Sequence, residues 1–134
     1  MDAAAALARW HDVVGSRDPA GLPALVAPDA VFRSPAVHAP QEGRAMTVAY
    51  LTAAFRVLGP GLVYEREWVA EDSAVLQFAT TVGGLDVHGV DIITWDERGQ
   101  IVDFTVLVRP AKALHAVVEH MGAELLRMRG ASGP

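Results

Sequence analysis

The tripeptide Gly59-Pro60-Gly61 divides the chain into two regimes of hydrophobic periodicity. Before it, apolar residues recur at three- and four-residue spacing; after it they alternate. A chain that changes period in this way must lay helices against a sheet, which is the α+β class. Glycine and proline at the junction end the helical half firmly.

The helical half has three segments. Asp2 caps a first helix in which Leu7, Trp10 and Val14 share a stripe, and Gly15 closes it. Asp18-Pro19 starts a short second one carrying Leu22, Leu25 and Val26, with Pro23 keeping it brief. Ala27-Pro28-Asp29 reads as a turn, Val31-Phe32-Arg33 as a short strand, and Ser34 to Gly43 as a proline-bearing loop. A third helix from Arg44 to Leu58 puts Met46, Tyr50, Ala53 and Val57 on one face. The alternating half predicts an antiparallel meander: Leu62 to Ala70, Ala74 to Val82, Leu85 to Trp95 and Gln100 to Arg109. Gly83-Gly84 suits a two-residue hairpin with positive φ. Pro110 opens a last helix with Leu114, Val117, Val118, Met121, Leu125 and Met128 at helical spacing. We expect one domain over residues 1–129 and a flexible tail over 130–134.

Composition narrows the function. With 134 residues, 51% of them hydrophobic, the chain can bury a sizeable core and enclose a cavity. It has no cysteine, which excludes disulfides, a thiolate nucleophile and cysteine-based metal sites. A formal charge of −5 is the wrong sign for a nucleic-acid or anionic-membrane partner. No apolar run is long enough to span a bilayer, and Met1-Asp2-Ala3-Ala4 lacks a basic leader segment, so a cytoplasmic location is expected. In the last two strands Val87, Ile93, Phe104 and Val106 serve one face while Val90, Ile92 and Leu107 serve the other. Strands apolar on both faces need cover on both, and a second copy of the chain is the simplest cover for the outer one. We expect a homodimer.

This layout, with Gly89-Val90-Asp91-Ile92-Ile93-Thr94-Trp95-Asp96-Glu97-Arg98-Gly99-Gln100-Ile101, resembles the nuclear transport factor 2-like superfamily, in its SnoaL-like (polyketide-cyclase-like) and ketosteroid-isomerase-like branch. The resemblance implies a cone-shaped barrel, a curved antiparallel sheet with three N-terminal helices and a C-terminal helix, around an apolar pocket. It implies a dimer through the outer sheet face, and a range of activities from isomerases, cyclases and dehydratases to non-catalytic carriers. Compared with ketosteroid isomerases, Asp91 stands where they hold an oxyanion-hole aspartic acid. Ser34 stands where they hold the aspartate base, and Trp10 where they hold a tyrosine. A serine without a base beside it does not shuttle protons as an aspartate does, and an indole is a donor only. Steroid isomerisation by their route is therefore not expected. The family's epoxide hydrolases place an arginine two residues before an aspartate; Gly84 stands there before Asp86, and Asp103 alternates outward.

Asp91 alternates onto a face with Val87, Gly89, Ile93 and Trp95. A carboxyl there must be hydrogen-bonded or have its pKa raised. It is either a working acid or a structural carboxylate. His38, in the loop the resemblance places at the pocket mouth, is a candidate base or a solvated histidine. Tyr50 offers a phenol to the cavity or serves as a core aromatic, and Trp10, Ser34 and Phe104 are candidate pocket wall. His88 falls on the face opposite Asp91. His115 and His120, five apart on a helix, do not make a metal pair, and no cofactor or metal is expected. Glu65 and Glu67 alternate onto one strand face around Arg66, and Arg109 stands ready for a carboxylate near the rim. The expectation is a cofactor-free isomerase, cyclase or dehydratase for a small apolar carbonyl compound. The alternative is a non-catalytic ligand-binding or dimeric scaffold domain.

Overall fold

A computed structural model describes residues 1–132, with positions 133 and 134 outside the described residues. Helix α1 (Ala3–Ser16) begins where the Asp2 side chain accepts the amide of Ala5 at 2.9 Å. The expected second helix is two single 3₁₀ turns, Pro19–Gly21 and Pro23–Leu25, each opened by its proline. Strand β1 (Val26–Arg33) follows, then the two-residue β2 (Gln41–Glu42), helix α2 (Arg44–Leu58) and a 3₁₀ turn at Gly59–Gly61. The meander is β3 (Val63–Val69), β4 (Ser73–Val82), β5 (Leu85–Trp95) and β6 (Ile101–Arg109), closed by α3 (Ala111–Ser132). The backbone of 130–132, expected to belong to the tail, continues α3.

Six strands form one sheet in the order β2-β1-β6-β5-β4-β3. The expected all-antiparallel sheet is mixed, because β1 runs parallel to β6. The expected turn at Ala27-Pro28-Asp29 lies inside β1. Five positions from Val26 to Val31 span only two register steps on β6, from Ile101 to Asp103. The segment bulges away from β6 there, so proline's missing N–H costs no ladder bond. The loop from Ser34 likewise yields β2, paired to Val31 and Phe32.

The alternating faces of the meander fall as the sequence requires. Val87, Asp91, Ile93, Trp95, Phe104 and Val106 are buried on the inner face, and Leu107 is 52% exposed on the outer one. Gly83 and Gly84 make the β4–β5 hairpin with φ of 58° and 78°. Gly89 has a different role. A Cβ built there would lie 2.4 Å from Phe78 Cζ and 2.6 Å from the Leu107 carbonyl oxygen, so only glycine lets the Phe78 ring cross β5. Of the α2 face expected from sequence, Ala53 is buried, Tyr50 and Val57 pack half-buried against the core and Met46 is 42% exposed, while the row of Thr47, Leu51 and Leu58 is buried without having been expected. A polar threonine heads that row, which hides it from a hydrophobic count. Among the described residues no helix is long and apolar enough to cross a membrane.

Candidate active site

Asp91 sits at the middle of β5 with Leu76 of β4 and Val106 of β6 directly beside it in register. Both neighbours are buried apolar side chains, and Asp91 itself is 5% exposed. Burial pushes its carboxyl up from the ordinary 3.8 to about 7, and a hydrogen bond from Tyr64 pulls partly against that rise. The Tyr64 hydroxyl donates to Asp91 Oδ2 at 2.6 Å, and Trp10 Nε1 donates to the Tyr64 oxygen at 3.2 Å. Burial first, and the adjacent carboxyl second, hold the Tyr64 pKa well above its ordinary value, so the phenol keeps its proton as the donor.

Local chain geometry explains this three-residue line. Tyr64 pairs in register with Phe78, which pairs with Gly89, so the phenol starts two strands away from Asp91. Curling of the sheet, with the Phe78 ring seated over Gly89, brings the two together. A bulge after Tyr64 then resets the strand: Tyr64 faces inward with Phe78, while Arg66 pairs with Gln77 and Glu67 with Leu76. That bulge separates Glu65 from Glu67, which simple alternation puts on one face. Glu65 meets Gln77 and His88 at 3.3 and 3.0 Å, and Glu67 meets His11 of α1 at 2.8 Å. Trp10 is fixed from α1 by an edge contact to Phe55 and a tilted one to Phe104, at 5.7 and 5.0 Å between ring centroids.

The line forms one wall of a cavity of about 390 Å³. Leu51, Phe55, Leu58, Phe104 and Val106 make most of its surface apolar, and Arg17 and Arg56 join the lining. Asp91 Oδ1 has no hydrogen-bond partner within the described residues, in a side chain that lines this cavity. It is the acceptor available to a ligand.

Of the residues singled out from sequence, Asp91, Trp10 and Phe104 line this cavity together. Ser34 and Tyr50 do not; they line an adjoining space of about 200 Å³ under α3 that shares Ala54, Leu58 and Val106 with the first. The Ser34 hydroxyl accepts the Ala36 amide at 2.9 Å, closing a local turn, and Tyr50 stacks on Phe32 at 5.4 Å. The phenol beside Asp91 is thus Tyr64 rather than Tyr50. His38 is exposed in the loop and lines neither space, because Pro35 and Pro40 carry that segment over the surface. His88 and Asp103 lie on the outer face; Asp103 pairs with Arg33 at 2.9 Å. Arg109 reaches His88 Nδ1 at 3.4 Å rather than a carboxylate. Among the described residues no three histidine or acidic side chains gather into a metal-holding group. Tyr64 and Arg17 were not read from the sequence as site residues. The signal for Tyr64 was present: it alternates with Leu62, and the paired polar residues Glu65-Arg66 mark the bulge.

Residues 7–104 match the family model described as a SnoaL-like domain. The chain belongs to the SnoaL-like family. It is similar to a solved structure described as a steroid delta-isomerase from Pseudomonas aeruginosa, 40% identical, covering 95% of this chain and 93% of that one at a TM-score of 0.90. It is also similar to an uncharacterised bacterial protein with a cystatin-like fold from Silicibacter pomeroyi: 35% identity, coverage of 88% and 83%, TM-score 0.81. An NTF2-like protein from Mesorhizobium loti is 28% identical, with coverage of 80% and 90% and a TM-score of 0.69. No curated protein matches the sequence.

Proposed function

We propose that the protein moves a proton at the carbon beside a carbonyl group in a small, mostly apolar compound, with Asp91 as the acid–base group. The observation that carries this reading is the Tyr64-to-Asp91 hydrogen bond of 2.6 Å inside an apolar cavity, which leaves Oδ1 open to a ligand. A carboxyl poised at about 7 is present in both protonation states near neutrality, which suits a group that must take and return a proton. Ionised Asp91 removes the proton; the C–H pair becomes the C=C bond of an enolate and the carbonyl π pair moves onto oxygen. The neutral acid then returns the proton at another carbon, giving an isomer. A cyclase would intercept the same enolate with a second carbonyl, and a dehydratase would expel a β-hydroxyl with that proton as water. The Tyr64 phenol, itself held by the Trp10 N–H, fixes the carboxyl through Oδ2 while Oδ1 takes and returns the proton. The isomerase name of the 40% identical relative supports this chemistry. Ser34 and His38 lie outside the cavity, so the reading rests on a single carboxyl.

The test is deuterium exchange. Apolar ketones incubated in heavy water with the protein should gain deuterium beside the carbonyl, followed by mass spectrometry, and Asp91→Asn should abolish the gain. Binding of the ketones without exchange would favour a non-catalytic ligand carrier instead.

We infer in addition a homodimer through the outer face of β5 and β6. Val90 and Ile92 are half-buried there in the single chain, and Leu107 stands exposed on β6 in register with Val90.

A further inference from the structure

Arg17 is the non-glycine residue with positive φ among the described residues, at 59°, just past the end of α1. That left-handed position ordinarily favours glycine, because a Cβ there crowds the following carbonyl. Gly15 is two residues away and does not occupy it. What the arginine gains is placement. Arg17, exposed in the single chain, is among the residues lining the same cavity as Asp91, and its Nη1 donates to the carbonyl oxygen of Pro60, another lining residue, at 3.2 Å. A guanidinium carries five N–H donors, so most remain unspent. No carboxylate pairs with it within the described residues. The neighbouring acid, Asp18, is engaged with the Ala20 amide at 2.9 Å. The other cavity arginine, Arg56, is committed to Glu124 at 3.1 Å, and Glu124 also holds Arg127.

Trp10 and Val14 line the cavity from α1, and Arg17 from just past its end. Trp10 hydrogen-bonds into the Tyr64–Asp91 pair, whereas Arg17 bonds to Pro60 in the turn after α2, so the two polar features belong to different parts of the lining. The cavity therefore combines an acid–base pair, an apolar lining and an unpaired cation. We infer that the ligand is an oxo acid: an apolar body with a carbonyl for the Asp91–Tyr64 pair and a carboxylate that Arg17 meets with charge-assisted hydrogen bonds. This rests on the proton-transfer reading of Asp91 and narrows its substrate class.

The test compares 6-oxo-6-phenylhexanoate with its methyl ester, which differ only in the anion, by calorimetric titration at pH 7. The native protein should bind the acid about tenfold more tightly than the ester, or better. Arg17→Gly, which suits the backbone at that φ and so keeps the fold, should lower the acid to the ester's affinity and leave the ester unchanged. Equal binding of acid and ester by the native protein would overturn the inference, as would equal weakening of both in Arg17→Gly. Failure of both compounds to bind would overturn it too. Deuterium exchange separates the two readings. Asp91-dependent exchange without acid preference leaves the proton chemistry standing and removes the anion site. An Arg17-dependent preference without exchange does the reverse.

Discussion

The Tyr64 phenol on edge strand β3 hydrogen-bonds to Asp91 on β5, across the intervening β4, at 2.6 Å. That reach ties the polar chemistry of the cavity to the curvature of the sheet. It also makes the pair sensitive to any change that flattens or spreads β4.

Gly89→Ala should do this. The new methyl would meet both the Phe78 ring and the Leu107 carbonyl, one of which is backbone that cannot swing away. Overpacking of this kind costs about 1–3 kcal/mol. We expect thermal melting to fall by several degrees. An unchanged melting temperature would show that β4 and β5 can separate freely at this point.

Asp91 also makes stability depend on pH. Its folded pKa lies above its unfolded one, so its contribution is complete below about 3.8 and is lost as pH climbs through about 7. The whole displacement corresponds to roughly 4 kcal/mol, with roughly 2–3 kcal/mol of it falling between pH 5 and pH 8. Urea unfolding should show native stability dropping more than that of Asp91→Asn over that interval. Parallel curves for the two proteins would contradict the shift.

The outer face predicts a dimer mass in light scattering at micromolar concentration, and Leu107→Glu should shift it toward the monomer by placing a charge on the exposed apolar strip. A monomer mass for the native chain would remove the inferred interface.

Turnover of a β,γ-unsaturated ketosteroid should be weak beside that of smaller oxo compounds. The Ser34 oxygen accepts the Ala36 amide, and the residue lines the adjoining space rather than the Asp91 cavity. Rapid steroid turnover in a spectrophotometric assay would show that Asp91 alone suffices for that reaction.

Much of this architecture is written in local pattern. Alternation alone turns Asp91 inward and Asp103, His88 and Leu107 outward, and Gly83-Gly84 marks its own hairpin. What escapes is set by tertiary packing. The bulge beside Pro28 turns an apparent turn into strand, and the pairing of β1 with β6 is fixed only when α2 and the meander bring the chain back beside it. The partner of Asp91 escapes for the same reason. Tyr50 and Tyr64 both carry phenols on inward positions, and only the curl across Phe78 and Gly89 selects Tyr64. Local pattern also carries no record of Arg17's backbone, which is left-handed where it caps α1 with its N–H on the Val14 carbonyl.

The proposed chemistry turns on the proton held by Asp91. Titration of its carboxyl carbon by NMR in the native protein should give a pKa of about 7. In Tyr64→Phe the lost hydrogen bond no longer favours the charged form, so the value should move higher. A native carboxyl titrating near 4, or one that falls when the phenol is removed, would contradict it.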